Sequence, residues 1–166
     1  VCVMMLVDEG KIALDDSIAK YLPEMAHLAT EDGVKHEVTI RQLMNHTSGM
    51  REIPPPNTYS PKTLEEAALE YAKLPLYFVP GTRWQYSQTS INTAARIVEV
   101  VSGQTFDVFA SERLFQPLGM KDTAFYLTAE QQQRLATSYE HTKEGKLEPR
   151  PIMILQGKQP TDPHRM

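Results

Sequence analysis

The chain has 166 residues, of which 41% are hydrophobic and 23% charged, and this balance is typical of a globular domain rather than a disordered or fibrous one. Its net charge of -4, without a basic cluster, argues against nucleic acid as a partner. The five histidines do not stand at metal-ligand spacing, so neither a zinc site nor a cofactor is predicted. The longest apolar run, residues 1–7, is far shorter than the roughly 18 residues that span a bilayer.

The first predicted element is a buried helix that ends at Gly10, with Met4 and Met5 in the core. Because the chain starts at Val1 without a helix cap or an initiator Met, we expect it to begin inside a helix of a longer protein. Cys2 is the single cysteine and cannot form an intrachain disulfide. The sequence therefore leaves the compartment open between periplasmic or secreted and cytoplasmic.

Two short helices and one longer helix are predicted next. Residues 17–21 fit one helical turn with Asp16 as its cap, and Thr39 suits the cap of a second short helix. A longer helix is predicted to start at Ser60-Pro61, because proline suits the first helical position. Its predicted apolar face consists of Leu64, Ala67, Ala68, Tyr71 and Leu74.

A second long helix is predicted after Tyr86, with Gly103 as its terminator. Residues 106–115 repeat the helical pattern, and the sequence beyond them becomes polar and proline-bearing with only weak strand signals. We therefore divide the chain into a helical subdomain, residues 1–140, and an irregular polar segment, residues 141–166.

Several ordered blocks of this sequence resemble one enzyme family. They read VMMLVDEGKIALDDSIAKYLPE near the start, IRQLMNHTSG from residue 40, PGTRWQYSQ from residue 80 and LFQPLGM from residue 114. Together they resemble the serine beta-lactamase-related family, in the branch of class C beta-lactamases, D-alanyl-D-alanine carboxypeptidases and family VIII esterases. The resemblance implies an α/β, beta-lactamase/transpeptidase-like fold. This chain is then mainly the helical subdomain, with most of the antiparallel sheet missing.

The same resemblance implies an active site. In the family an S-x-x-K helix supplies a serine nucleophile and a lysine, a Y-x-N element supplies a tyrosine, and a later strand carries K-T-G or H-x-G. The Y-x-N position here reads Tyr86-Ser87-Gln88, and no Lys-Thr-Gly occurs. Tyr86 is thus implied as the catalytic base, since a neighbouring ammonium favours a phenolate, and Gln88 as a substrate-binding amide. The alternatives are a half-buried tyrosine and a surface glutamine at a helix start.

Ser17 and Lys20 also have the S-x-x-K spacing, but a motif this short arises readily by chance. The family's S-x-x-K serine opens the helix whose later turns read like VCVMMLVDEGK. The resemblance therefore places the nucleophile a few residues before Val1, whereas Ser17 follows that helix. We interpret Ser17 as a cap or surface residue.

Three residues near the implied site are given structural roles. Trp84 is expected to be a packing residue rather than a substrate platform. His46 and Ser48 belong to a glycine-ended turn, which local hydrogen bonding explains better than catalysis.

The predicted function is that of a serine hydrolase acting through an acyl-enzyme on a small-molecule ester, amide or peptide. An esterase or D-alanyl peptidase-like substrate is preferred to a beta-lactam, because Gln88 replaces the expected asparagine. The fragment alone is expected to be inactive. The alternative is a non-catalytic binding or scaffold relative that has lost the nucleophile, and an S-x-x-K motif upstream of Val1 would discriminate the two. Oligomeric state is left open.

Overall fold

Helices dominate the part of the chain that the computed structural model describes, residues 1–53 and 61–149. The α-helices are α1 (Cys2–Asp8), α2 (Ile40–Met44), α3 (Leu64–Tyr71), α4 (Gln88–Ser102), α5 (Phe106–Ala110) and α6 (Ala129–Gln133). Two 3-10 helices, Ile18–Lys20 and Pro23–His27, follow α1, and a π-helical turn, Ser111–Phe115, continues α5. Two short strands, β1 (Tyr139–His141) and β2 (Leu147–Pro149), pair as an antiparallel hairpin.

The long helix α4 is the centre of the packing, and α1, α2, α3 and α5 all contact it. It begins as predicted after Tyr86, where the Ser87 hydroxyl accepts the N–H of Ser90 at 3.1 Å. It ends at Gly103, whose φ of 72° is left-handed, so the predicted terminator is confirmed. The buried face of α4 comprises Thr89, Ser90, Thr93, Ala94, Ala95, Ile97 and Val98.

The cap of α2 is confirmed and the start of α3 is corrected. Thr39 caps α2 in a reciprocal capping box with Gln42. The helix α3 begins at Leu64 rather than at Pro61, because the Thr63 hydroxyl accepts the N–H of Glu66 at 3.1 Å and supplies the cap there. Ser60 lies outside the described residues. The predicted apolar face is buried up to Tyr71, where α3 ends.

The helix α1 packs through a different face from the one predicted. Its buried residues are Cys2, Val3 and Leu6, while Met4 is 40% exposed and Met5 half-buried. Placing Met4 in the core was therefore wrong. Successive residues of a helix are rotated by about 100°, so a stripe centred on Cys2 and Leu6 turns Met4 away from the core.

The hairpin lies at the end of the described chain, and both of its strands are exposed. The predicted division between residues 140 and 141 falls inside β1. The segment expected to be irregular contributes His141 and Leu147–Pro149 to the paired strands. Residues 150–166 lie outside the described residues, and the division into two segments stays a prediction.

Candidate active site

Tyr86 and Gln88, the two residues implied as functional, lie next to each other where the chain enters α4. Tyr86 is in the turn before the helix and is 59% exposed, so it is not the half-buried tyrosine of the alternative interpretation. Gln88 is the first residue of α4 and is exposed. The phenol O–H of Tyr86 donates to Oε1 of Gln88 at 3.0 Å. An accessible phenol and an amide thus face solvent together.

The turn of residues 46–49 holds the backbone on both sides of Tyr86. The carbonyl of His46 accepts the N–H of Gln85 at 2.9 Å, and its ring Nδ1 accepts the N–H of Ser87 at 3.2 Å. The second bond needs a lone pair on Nδ1, which places the proton of the neutral ring on Nε2. His46 has φ of 61°, and its ring centroid lies 4.9 Å from that of Tyr86. His46 therefore supports Tyr86, a contact that the sequence analysis did not predict.

Ser48 and Gly49, which end this turn, are buried. The hydroxyls of Ser48 and Ser90 lie 2.6 Å apart, and Ser48 Oγ also accepts the N–H of Met50 at 3.1 Å. Gly49 has φ of 74°, and a Cβ there would lie 2.4 Å from the carbonyl oxygen of Phe78. Local hydrogen bonding and a required glycine account for this turn, as the sequence analysis proposed for Ser48.

Trp84 does not have the packing role that the sequence analysis gave it. Its side chain is 64% exposed, and its ring contacts the ring of His46 edge-on at a centroid distance of 6.2 Å. The segment before α4 runs along the surface of the described chain, so its side chains point outward instead of entering the core.

A line of polar side chains runs from Gln88 into the core. Gln88 Nε2 donates to Asn92 Oδ1 at 3.0 Å, and Asn92 Nδ2 donates to the phenol oxygen of Tyr71 at 3.0 Å. Asn92 stands four residues after Gln88 on the same helical face, so spacing alone could have linked them. Tyr71 comes from α3, and no local signal in the sequence pairs it with α4.

A carboxylate lies at the buried end of this line. Glu52 accepts the N–H of Thr89 at 3.2 Å and its hydroxyl at 3.0 Å. A negative charge is favourable there, because the first turn of α4 presents unpaired N–H groups and the positive end of the helix dipole. Burial raises the pKa of Tyr71 and the charge of Glu52 raises it further, while hydrogen bonds with Asn92 and, less strongly, with Thr89 lower it. Tyr71 is therefore a neutral phenol at physiological pH.

Ser17 and Lys20, the pair with S-x-x-K spacing, have surroundings different from those of Tyr86, because the lysine already has a carboxylate partner. Lys20 Nζ lies 3.0 Å from Asp16 Oδ2, and this hydrogen bond is the main reason that the pKa of Lys20 is raised. The same carboxylate oxygen accepts the O–H of Tyr21 at 2.5 Å and the N–H of Ala13 at 2.9 Å. Together these bonds lower the pKa of Asp16 to about 2, and the bond from Tyr21 has the largest effect. A lysine held in its charged form cannot act as a base toward Ser17.

Ser17 itself occupies the N-cap position of the 3-10 helix Ile18–Lys20, as the sequence analysis proposed. Its hydroxyl makes no capping hydrogen bond within the described residues, and its backbone forms a bridge with Thr39. The prediction that Asp16 caps this turn was wrong, since its carboxylate accepts the N–H of Ala13 and the side chains of Lys20 and Tyr21 instead. Ser17 therefore serves to join two segments of backbone.

Among residues 1–53 and 61–149, no group of three or more His, Cys, Asp or Glu side chains is arranged to hold a metal ion. In that part, too, no helix is both long and apolar enough to cross a bilayer.

A tyrosine and an amide at the start of a central helix, backed by the turn of residues 46–49, belong to the helical subdomain of a beta-lactamase/transpeptidase-like fold. A sequence model described as beta-lactamase matches residues 1–154, and the chain belongs to this family. The resemblance stated from the sequence blocks is confirmed. Within the described residues the chain is mostly helical with one two-stranded sheet, as expected for that subdomain.

Named relatives include an esterase and a peptidase. Esterase EstB of Burkholderia gladioli is 31% identical over 151 residues, which are 82% of this chain and 38% of that protein. The D-alanyl-D-alanine-carboxypeptidase/endopeptidase AmpH of Escherichia coli K12 is 30% identical over 135 residues, 78% of this chain and 34% of that protein. The solved structure of EstCE1, a hydrolase with promiscuous acyltransferase activity, aligns with a TM-score of 0.77 and 29% identity, covering 90% of this chain and 42% of its own. The chain thus spans less than half the length of each of these three relatives.

Proposed function

We propose that the whole protein is a serine hydrolase that acts through an acyl-enzyme on an ester or amide, with Tyr86 as the proton-transfer residue and Gln88 as an amide that contacts the substrate. The observation that carries the proposal is the exposed phenol of Tyr86, hydrogen-bonded at 3.0 Å to Gln88 at the start of α4 in a chain of the beta-lactamase family. Among the named relatives, an esterase and a carboxypeptidase support this class of reaction.

The proposed reaction follows from the poor nucleophilicity of a serine hydroxyl at its free pKa. With Tyr86 ionised to a phenolate, as the neighbouring lysine ammonium would favour, it accepts the hydroxyl proton as the serine oxygen attacks the substrate carbonyl, and the resulting phenol then donates that proton to the departing alcohol or amine. An acyl ester with the serine remains. Water then attacks this ester, passing its proton through the same phenol, and releases the acid and the free serine. Following the family resemblance, we place the serine and its lysine in sequence that precedes Val1.

Gln88 bears on the choice of substrate. Its amide offers the same donor and acceptor groups as the asparagine of the Y-x-N motif on a stem that is one methylene longer. In this structure its Nε2 is bound to Asn92 and its Oε1 faces Tyr86. Because Gln88 replaces the asparagine of the motif, we prefer an ester or D-alanyl peptide to a beta-lactam as substrate.

The test is the hydrolysis of a p-nitrophenyl short-chain ester by the whole protein and by Tyr86→Phe. Losing a positioned proton-transfer group should lower kcat/KM by about 10²- to 10⁴-fold. Tyr139→Phe is the matched control, because Tyr139 is an equally exposed tyrosine, at 58%, in β1, a strand to which the proposal assigns no site residue. Its kcat/KM should equal that of the unaltered protein.

Full turnover by Tyr86→Phe would remove Tyr86 from the mechanism. If the unaltered protein hydrolyses neither the ester, nor a D-alanyl-D-alanine peptide, nor a beta-lactam, the serine hydrolase proposal fails and the non-catalytic alternative takes its place.

A further inference from the structure

The amide of Gln88 can face Tyr86 with either of its two ends, and the two choices have opposite effects. A carbonyl oxygen accepts the phenol proton and stabilises the neutral tyrosine, whereas an N–H donor stabilises the phenolate. In the structure the oxygen faces Tyr86, at 3.0 Å. Because Gln88 is exposed, contact with Tyr86 alone does not explain why this end is chosen.

The orientation of the Gln88 amide is determined by its hydrogen bond to Asn92. Gln88 Nε2 donates to Asn92 Oδ1, and Asn92 Nδ2 donates to the oxygen of Tyr71. If Asn92 were reversed, its amide nitrogen would meet the amide nitrogen of Gln88, and one donor would lose its acceptor. The orientation of Asn92 therefore selects the orientation of Gln88.

The orientation of Asn92 depends in turn on the buried Tyr71. Only 8% of Tyr71 is exposed, so its hydroxyl can exchange few partners with water. The carboxylate of Glu52, fixed by two hydrogen bonds from Thr89, is close enough to raise the pKa of Tyr71. The phenol oxygen of Tyr71 accepts the N–H of Asn92 at 3.0 Å, so its own O–H points elsewhere, on the side of Thr89 and Glu52. Facing a lone pair of Tyr71, Asn92 must present its N–H group.

We propose that Tyr71 and Asn92 are positioning residues, which act through Gln88 to keep an acceptor rather than a donor against the hydroxyl of Tyr86. Neither residue touches the substrate in this account, which rests on the proposed function for its catalytic meaning. The hydrogen-bond partner of the Tyr86 hydroxyl is thus set in part by a tyrosine on another helix. His46, which contacts the ring of Tyr86, and Glu52 are the titratable groups at the two ends of the line.

The test is a spectrophotometric titration of tyrosinate in the whole protein. Subtracting the titration of the matching Tyr86→Phe variant isolates Tyr86, and no activity is needed. In Tyr71→Phe the Asn92 amide loses the phenol oxygen that accepts its N–H group and fixes its orientation. Gln88 can then turn its own N–H group toward Tyr86. Ionisation of Tyr86 should then move to lower pH by roughly half to one pH unit, the size expected for one exchanged hydrogen bond.

Asn92→Ala removes the next member of the line and should produce a shift in the same direction. Asn92 is half-buried, so this variant also carries the test if Tyr71→Phe does not fold. Tyr21→Phe is the control, because it deletes the hydroxyl of another partly buried tyrosine that bonds to Asp16, and it should leave the titration of Tyr86 in place.

An unchanged titration of Tyr86 in folded Tyr71→Phe and Asn92→Ala would overturn the inference, as would a shift to higher pH. If both variants shift the titration while Tyr86→Phe keeps full ester hydrolysis, the positioning line is supported and the proposed catalytic role of Tyr86 fails. If Tyr86→Phe is inactive and the titration does not move, the proposed function is supported and the positioning line fails.

Discussion

Two regions of this molecule each pair a hydroxyl residue with a second polar group at motif spacing, and their surroundings differ. Around Ser17 the polar groups satisfy one another locally, since Asp16 binds Lys20, Tyr21 and the backbone of Ala13. Around Tyr86 the phenol is exposed and is supported from below by hydrogen-bonded groups of α3, α4 and the turn of residues 46–49. Motif spacing alone does not separate the two regions, whereas the existing partners of each polar group do.

The largest expected effect on stability comes from a substitution in the turn of residues 46–49, which supports Tyr86. Gly49→Ala places a Cβ 2.4 Å from the carbonyl of Phe78 at a φ of 74°, so both a clash and left-handed strain result. We expect the free energy of unfolding to fall by about 2 to 5 kcal/mol, measured by urea denaturation of the whole protein.

Gly103→Ala is the matched control for this substitution. Its φ is 72°, but no described atom lies within 4 Å of the added Cβ. It should therefore show only the left-handed strain, about 1 to 2 kcal/mol. Equal losses in the two variants would mean that the turn under Tyr86 is not tightly packed, and the contrast between the regions would weaken.

A smaller effect is expected from Asp16→Asn, which removes the carboxylate that binds Lys20. The pKa of Asp16 is lowered from 3.8 to about 2, so its stabilising contribution is fully present above pH 3.8 and is lost as the pH falls toward 2. The variant should have a lower thermal midpoint than the unaltered protein at neutral pH. The difference should shrink between those two pH values.

Asp8→Asn is the control for the pH series, because a carboxylate at the C-terminal end of α1 meets the negative end of the helix dipole and its removal should cost nothing. Ester hydrolysis should be unchanged in Asp16→Asn, although Lys20 is released. A loss of hydrolysis with an intact fold would contradict the structural role assigned to the Ser17 region.

The smallest effect is expected from Ser17→Ala. Its hydroxyl makes no capping bond within the described residues, and the bridge to Thr39 uses only backbone atoms, so the free energy of unfolding should change by less than about 0.5 kcal/mol. Ser48→Ala is the contrasting variant, since it leaves the buried N–H of Met50 without its acceptor and should cost about 1 to 3 kcal/mol. Equal costs, again by urea denaturation, would remove the distinction.

Local signals predicted much of this fold and only part of the candidate site. The Thr39 cap and the Gly103 terminator need only neighbouring residues, and both were predicted correctly. The start of α3 was misplaced because Pro61 was preferred to the Thr63-x-x-Glu66 cap, which is an equally local signal.

The tertiary contacts of the site could not be predicted from local sequence signals. Sequence blocks indicated Tyr86 and Gln88, but the contacts of Tyr71 and His46 join residues that are far apart in the chain. Met4 was misplaced because the apolar face of a short helix depends on the neighbours that cover it. Such contacts depend on how the helices pack together, and this packing cannot be read from a single sequence.

The most direct test of the contrast between the two regions is to label the whole protein with a fluorophosphonate, which attaches to an activated serine, and to locate the adduct by mass spectrometry. We expect the label to fall on a serine other than Ser17, and the labelling rate to drop by about 10²-fold or more in Tyr86→Phe, as for loss of a general base. A label on Ser17, or an equal labelling rate in Tyr86→Phe, would contradict this expectation.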